Sequence, residues 1–241
     1  MSFSSLEDVA ARLDRQDWSM AEVALQQHGY AVLPKVMAPR EAETVVKQVD
    51  DASLFLKHVV MARHGYGQVD YKYFGYPLPE PIKRLRAAHY RRLLPTARAW
   101  AARLGEKTAY PDGHDAFLSA CHNAGQERPT CLILRYRKGD YNRLHQDLYG
   151  EIAFPLQAAV LLSEPGEDFT GGEFVLTEHR ARMQSRAEVV PLRQGDAVVF
   201  ANALRPIDGA RGAVRVNMRH GVSPLRGGQR FALGLILHDA K

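Results

Sequence analysis

Two histidines and an aspartate in the second half of the chain could bind a metal ion together. His145 and Asp147 are separated by one residue, and His220 lies much farther along the chain. Two imidazoles and one carboxylate can occupy one face of an Fe(II) ion and leave the opposite coordination positions open. Non-haem Fe(II) oxygenases use this ligand set, so we expect oxidative chemistry at His145, Asp147 and His220.

An arginine downstream of the second histidine could bind the cosubstrate of such a centre. In the segment RFALGLILH, Arg230 shares one face with small residues, and phenylalanine and leucines occupy the other. If the small face points inward, the buried guanidinium needs an anion. A dicarboxylate such as 2-oxoglutarate would fit its two-pronged fork. The alternative is that Arg230 lies at a strand end in water.

The context of these residues carries more information than the motif itself. About one His-x-acid sequence is expected by chance in a chain of this composition. Residues 145 and 147 would, however, point the same way in an extended segment. His220 alternates with Val216 and Met218, which predicts that it points inward, although an isolated histidine there is more often a core residue.

The first half of the chain predicts helices, and the second half predicts strands. Helices are expected from Ser19 to about His28, from Pro39 to about Ala52, from Pro81 past Trp100 with a kink or break at Pro95, and from about Asp112 to Asn123. Tyr30–Leu33 is a short strand candidate, and Tyr66–Pro81 is expected to be a loop. Further strands are expected at 131–137, 152–163, 172–177, 187–192, 196–201, 213–220 and 230–238.

These elements predict one domain over residues 1–241. Its fold class would be mainly β with a helical N-terminal half. Residues 130–241 would form a double-stranded β-helix, or jelly-roll, core, and residues 1–129 would supply supporting helices and a Tyr-rich loop. The composition is that of an ordinary globular chain, with 46% hydrophobic and 24% charged residues. Two cysteines, no signal peptide and no long apolar run favour a cytoplasmic protein without a membrane partner.

The charge distribution favours an anionic partner. The formal net charge is +5, and residues 180–230 contain ten arginines against three acids, a local balance of +7. Tyr71 and Tyr73, with Arg182 and Arg186, are the candidate substrate contacts, because aromatic rings stack on bases and guanidinium groups hold phosphates. The same reasoning includes Tyr66, Phe74, Tyr76 and Arg180. These aromatic residues could equally pack the loop onto the core.

The order of several segments resembles a known enzyme superfamily. The run RYRKGDYNRLHQDLYG, DFTGGEFVLTE, LRQGDAVVFA and VRVNMRHGVSPLRGGQRFALGLI is similar to the core of 2-oxoglutarate/Fe(II) oxygenases of the prolyl-4-hydroxylase-like branch. The resemblance implies that His145, Asp147 and His220 bind Fe(II). It also implies that Arg230 binds the C5 carboxylate of 2-oxoglutarate, where many prolyl hydroxylases have lysine, and that Tyr136 adds a hydroxyl there.

More of the chain, including HGYAVLP, YKYFGYPLP and RMQSR, resembles a bacterial family of 2-oxoglutarate oxygenases linked to oxidative removal of alkyl damage from nucleic acid. This resemblance implies a dioxygenase that uses O2, hydroxylates a substrate C–H and releases succinate and CO2. Single-stranded or damaged DNA or RNA is the expected substrate. A protein side chain or a small metabolite is the alternative, and a non-catalytic jelly-roll binding module is a remote one.

Overall fold

The helices lie mainly in the first half of the chain. The computed structural model describes residue 6 and residues 8–60, 67–210 and 212–241. Within these ranges the helices are α1 (Val9–Asp14), α2 (Trp18–His28), α3 (Pro39–Lys47), α4 (Glu80–Leu104) and α5 (His114–Asn123), with a short 3-10 turn at Ala52–Leu54. In the same ranges no helix is long and apolar enough to cross a membrane.

The strands form most of the remaining structure. The short strands β1 (Tyr30–Leu33), β2 (Phe55–Val60), β3 (Gly67–Gln68) and β4 (Asp70–Phe74) precede or separate the longer helices. After α5 come β5 (Leu132–Arg137), β6 (Tyr141–His145), β7 (Leu156–Leu161), β8 (Phe169–Gly171), β9 (Phe174–His179), β10 (Arg186–Val190), β11 (Ala197–Ala201), β12 (Leu204–Gly209), β13 (Gly212–Val222) and β14 (Leu225–Leu235). The chain is therefore mainly β, as expected.

The described strands form two antiparallel sheets. The larger sheet has eight strands in the order β1-β11-β7-β14-β5-β4-β2, with β8 beside β14, and the smaller has six in the order β10-β9-β13-β6-β3, with β12 beside β13. A hydrophobic cluster joins Leu161 and Phe200 of the larger sheet to Phe174 and Leu176 of the smaller. The sheets therefore face each other across an apolar interior.

The helices cover the outer face of the larger sheet. A second hydrophobic cluster joins Leu85 and Trp100 of α4 to Ile133 of β5 and to Leu233 and Leu235 of β14. The alternate residues of β14 point toward the smaller sheet, because the side chains of a strand alternate between its faces. The expected split of RFALGLILH into a packed face and an inward face is thus confirmed.

Several boundaries differ from the sequence-based predictions. Helix α2 begins before Ser19, because the side chain of Asp17 accepts a hydrogen bond from the backbone of Met20 and caps the helix. Helix α3 ends at Lys47 instead of near Ala52. Helix α4 continues through Pro95 without a break. Its flanking residues are buried, so packing outweighs the roughly 3 kcal/mol cost of an internal proline.

The Tyr-rich segment is not a structureless loop. Residues 67–68 and 70–74 form β3 and β4, and β4 joins the larger sheet between β2 and β5. Tyr66 lies outside the described residues. Four further strands were missed. They are β2, the three-residue β8, β6, whose sequence YNRLH lacks a continuous apolar face, and β12, which tolerates Pro206 because it pairs with β13 alone among the described strands.

A buried ion pair ties helix α4 to the chain after β14. Arg86 and Asp239 are 1% and 0% exposed, and their side chains are 2.8 Å apart. Arg86 also donates to the backbone carbonyls of Ile236 and His238. These bonds fix the C-terminal segment against the helical layer, so the last strand has a fixed position relative to α4.

We expect Asp239→Ala to lower the free energy of unfolding by about 3–5 kcal/mol, because it leaves Arg86 buried without its counter-ion. Asp112→Ala is the matched control, because Asp112 pairs with Arg98 while 92% of its side chain is exposed, and should cost less than about 1 kcal/mol. Urea unfolding of both variants measures the difference. Equal losses in the two variants would contradict the structural role of the pair.

Two buried histidines should make stability depend on pH. Burial lowers the pKa of His89 from 6.5 to about 4 and that of His114 from 6.5 to about 3. The unfolded chain therefore binds more protons than the folded one below pH 6.5, and stability must fall as the pH decreases from 6.5 toward 4. Each imidazole contributes up to about 1.4 kcal/mol per pH unit in this interval.

The check is urea unfolding of metal-free protein across that interval, with His89→Leu beside the wild type. The variant removes one titrating imidazole, so its free energy of unfolding should fall less steeply with decreasing pH. Parallel curves for the two proteins would show that His89 is not held neutral by the fold.

Candidate metal centre and its cavity

The pairing of two strands brings the two histidines together. His145 is the last residue of β6 and lies opposite His220 of β13 in the antiparallel register. Asp147 follows two residues later. Gln146, between them, turns away and donates to the carbonyl oxygen of Met218 at 2.8 Å. His145 and Asp147 therefore point to the same side, as expected from their spacing.

The three side chains converge closely enough to share one ion. Nε2 of His145 is 3.4 Å from Oδ1 of Asp147, and Nε2 of His220 is 3.2 Å from Oδ2. One ligand atom from each residue lies within 4.8 Å of the other two. Among the described residues this is the one group of at least three such side chains with metal-binding geometry.

Mutual charge and burial set the ionisation of this group. Burial would raise the pKa of Asp147, but hydrogen bonds and charge from both histidines outweigh it and hold the pKa well below its usual value. Burial would lower the pKa of His145, but Asp147 outweighs it and raises that pKa. Burial and the neighbouring His145 lower the pKa of His220. The carboxylate is thus ionised and ready to bind a cation.

Neighbouring groups fix the orientation of two of the three residues. Nδ1 of His145 donates to the carbonyl oxygen of Arg143 at 2.7 Å, so the neutral imidazole presents the lone pair of Nε2 to the centre. Asn202 clamps the backbone of Asp147, accepting from its N–H at 3.0 Å and donating to its carbonyl oxygen at 2.5 Å. The chain segment carrying Asp147 is therefore held on both sides.

Two further side chains hold the carboxylate of Asp147 itself. The hydroxyl of Tyr149 donates to Oδ1 at 2.6 Å, and Nε2 of Gln157 donates to Oδ2 at 2.9 Å. Sequence reasoning missed both residues, and also Asn202. The i+2 spacing of Tyr149 from Asp147 and the single amide in the apolar strand LQAAVL were available signals.

Arg230 is a buried cation that has no protein anion among the described residues. It is 3% exposed, and its Nε has no hydrogen-bond partner. Its guanidinium carbon lies 5.1 Å from the ring centre of Tyr136 and 5.9 Å from that of Phe169. Burial lowers its pKa. A guanidinium placed against aromatic rings without a carboxylate is expected to bind an anionic ligand.

A cavity of about 60 Å³ joins Arg230 to the three candidate metal ligands. Ala232 and Gly234, which share a face with Arg230, line it and leave space beside the guanidinium. Gly172 lets β8–β9 approach Arg230: its φ is +64°, and a Cβ there would lie 2.2 Å from Leu225. The cavity thus has a cation-binding end and an anion-binding end.

Tyr136 lines the same cavity and pairs with Arg230 in the register of β5 and β14. Its hydroxyl interacts with Asn142, and burial raises its pKa to about 12. The hydroxyl therefore remains protonated near neutral pH and can donate a hydrogen bond. The structure places Tyr136 next to Arg230, where the sequence analysis expected it.

These residues fit Fe(II) and 2-oxoglutarate. Two imidazoles and one carboxylate suit a divalent iron ion and leave open positions. The unpaired guanidinium at the other end of the cavity suits the distal carboxylate of a dicarboxylate. The donor set and the uncompensated charge both come from this chain.

A wider cavity of about 540 Å³ opens outward from the metal ligands. Tyr71, Tyr73 and Tyr149 line it beside His145, and Asp147 is the only acid among its described lining residues. Four cations also line it: Lys57, Arg128, Arg143 and Lys241, the last of which pairs with Glu151 at the surface. The described part of the chain therefore has an aromatic cavity with a basic rim next to the candidate metal centre.

The structure separates the other predicted substrate residues from this cavity. Arg182 and Arg186 are exposed at the β9–β10 hairpin, on the far edge of the smaller sheet from β6. Arg180 pairs with Glu178. Phe74 is in the core, and Tyr76 donates to Asp239 on the helical side. Of the arginines from 180 to 230, only Arg230 lines either cavity among the described residues.

Comparisons with known proteins agree with this site. Residues 69–240 match the sequence model of the Oxygenase-NA family, described as "Oxygenase, catalysing oxidative methylation of damaged DNA". An uncharacterised protein of Mycobacterium tuberculosis is 50% identical over 167 residues, which cover 69% of this chain and 72% of that protein.

Two solved structures show a similar fold. A prolyl hydroxylase from Trichoplax adhaerens, in complex with a hypoxia inducible factor peptide fragment, has a TM-score of 0.55 and 15% identity over 95% of this chain and 90% of its own. HygX from Streptomyces hygroscopicus, with nickel and 2-oxoglutarate bound, has a TM-score of 0.50 and 18% identity over 89% and 85%. Because the match to the family model covers more than half of this chain, the chain belongs to the Oxygenase-NA family and is an oxygenase.

Proposed function

We propose that this chain is an Fe(II)- and 2-oxoglutarate-dependent dioxygenase that hydroxylates a substrate C–H bond. His145, Asp147 and His220 would bind the iron, and Arg230 would bind the C5 carboxylate of 2-oxoglutarate. The observation that carries the proposal is one cavity with three converging metal ligands at one end and, at the other, a buried guanidinium that pairs with no carboxylate of the described residues. The two facing sheets would be a double-stranded β-helix within one domain over residues 1–241.

The bound iron and 2-oxoglutarate would supply the oxidising chemistry with O2, releasing succinate and CO2. The chain's own residues bind, orient and shield. His145 presents Nε2 because its Nδ1 donates to the backbone. Arg230 fixes one end of the cosubstrate, and Tyr136 would add a hydrogen bond to the same carboxylate. Phe174, Phe200 and other apolar side chains line the inner cavity and exclude water.

Alkylated nucleic acid is the substrate that the outer cavity supports best. Tyr71 and Tyr73 offer aromatic surfaces for an unstacked base, and the basic rim suits the phosphates on either side. Hydroxylation of an N-methyl group gives an N-hydroxymethyl product that loses formaldehyde and restores the base. Arg182 and Arg186 would contact only nucleic acid that extends beyond the cavity across the smaller sheet.

A protein side chain is the second candidate substrate. The Trichoplax structure holds a peptide fragment on a similar fold, and a cavity lined by tyrosines could also receive an extended peptide. The basic rim favours nucleic acid, because a neutral peptide would not make use of the charges of Lys57, Arg128 and Arg143. A strong dependence on salt would separate the two.

We expect Arg230→Ala to weaken 2-oxoglutarate binding by about 2–5 kcal/mol, since the cosubstrate carboxylate would lose its buried charged partner. Isothermal titration of the Fe(II) protein without oxygen measures this affinity. Arg226→Ala on the same strand is the control, because Arg226 is exposed. Unchanged affinity in Arg230→Ala would remove this residue from the cosubstrate site.

In air with Fe(II), we expect the wild type to convert 2-oxoglutarate to succinate. A single-stranded oligonucleotide with one N-methylated base should accelerate the conversion and yield formaldehyde. Asp147→Ala should show no iron-dependent turnover, because it removes an iron ligand.

The turnover that the oligonucleotide stimulates should fall steeply with increasing salt and should be lower in Arg143→Gln. Arg219→Gln, which alters an exposed arginine beside His220 that does not line the cavity, should resemble the wild type.

Each outcome has a distinct meaning. Succinate formation that the oligonucleotide leaves unchanged would keep the oxygenase and move the substrate to a peptide or metabolite. A wild type that binds no iron and forms no succinate would refute the dioxygenase proposal itself.

A further inference from the structure

Tyr149 lies between the candidate metal centre and the outer cavity. Its hydroxyl donates to Oδ1 of Asp147 at 2.6 Å, while its ring lines both cavities. Burial and the charge of Asp147 raise the pKa of Tyr149, so it keeps its proton. A phenol hydroxyl has one proton to donate, and here that proton is committed to the carboxylate.

The ring of Tyr149 forms part of the wall of the outer cavity, beside Tyr73 of β4. A molecule in the outer cavity therefore contacts the same residue whose hydroxyl holds an oxygen of the candidate iron ligand.

The two oxygens of Asp147 are not held alike. Gln157 holds Oδ2 from within β7, and its 3% exposure leaves it little freedom to move. Tyr149 is only partly buried and follows β6 in an irregular segment that leads to Gly150. Of the two donors, Tyr149 is therefore the one that a molecule in the outer cavity can displace.

We propose that Tyr149 is a positioning residue that couples occupation of the outer cavity to the geometry of the metal through its hydrogen bond to Asp147. The proposal rests on the proposed function, since it takes His145, Asp147 and His220 as metal ligands. A substrate that packs against the ring of Tyr149 shifts its hydroxyl and thereby changes the orientation of the Asp147 carboxylate. Tyr149 acts through Asp147 and does not itself bind the metal.

The first test is Co²⁺ binding, followed by absorbance, which requires no turnover. Tyr149→Phe removes one hydroxyl and keeps the ring, and we expect it to weaken Co²⁺ binding about tenfold or more, as for other partners of metal ligands. Tyr90→Phe is the matched control, because its buried hydroxyl donates to the carbonyl oxygen of Pro111 on the helical side. Wild-type Co²⁺ affinity in Tyr149→Phe would overturn the positioning role.

The second test is the response of the Co²⁺ spectrum to the methylated single-stranded oligonucleotide. We expect the oligonucleotide to change the visible bands in the wild type and in Tyr90→Phe. The change should be absent from Tyr149→Phe. A full response in Tyr149→Phe, or none in the wild type, would overturn the coupling.

The ratio of succinate to formaldehyde gives an independent readout with Fe(II). Loss of coupling predicts more succinate per formaldehyde in Tyr149→Phe, whereas a purely structural defect would lower both together. An active wild type with the same ratio as Tyr149→Phe would refute this inference and leave the dioxygenase intact. A wild type without succinate would instead refute the proposed function.

Discussion

The buried carboxylate of Asp147 is the constraint around which the site is built. An ionised carboxylate away from water is costly unless its oxygens are satisfied. Here two histidines, Tyr149 and Gln157 surround it within hydrogen-bonding distance or slightly beyond. Each hydrogen bond to a carboxylate oxygen also has a preferred direction, so the groups that make burial of the charge possible also fix the orientation of the carboxylate. The site is therefore preorganised for a metal by the same bonds that stabilise the buried charge.

At the opposite end of the cavity the buried charge is positive. Arg230 is buried against aromatic rings without a carboxylate among the described residues. Burying this guanidinium destabilises the fold. The packing of the outer faces of β14 and β5 on the helices offsets that loss, while small residues on the inner face leave space beside Arg230. A charge left unpaired by the fold is stabilised when the missing anion binds. The same unpaired charge therefore explains both a local loss of stability and affinity for a dicarboxylate.

Short-range rules in the sequence predicted which side chains face the inner cavity, and the roles of these residues stay predictions. Alternation along a strand placed His220 and Arg230 inward, and i+2 spacing aligned His145 with Asp147. The sequence did not predict the rim, since Lys57, Arg128, Arg143 and Lys241 come from separate segments that only the sheet order brings together. The prediction that arginines of residues 180–230 contact the substrate failed for the same reason. Many of them lie on the far edge of the smaller sheet or form ion pairs within the protein, such as that of Arg205 with Glu178.

The inner cavity and the rim of the outer cavity therefore differ in how freely their residues can change. The inner cavity is made by facing strands whose register fixes each side chain, so its chemistry tolerates little change. The rim is made by exposed residues on strand ends and loops, where substitutions cost little stability. Substrate choice can therefore vary among chains that share the inner cavity, and similarity of fold to prolyl hydroxylases need not extend to the substrate. Tyr149 lies where these two parts meet and donates to Asp147, so it is the residue through which a changeable rim can act on a fixed centre.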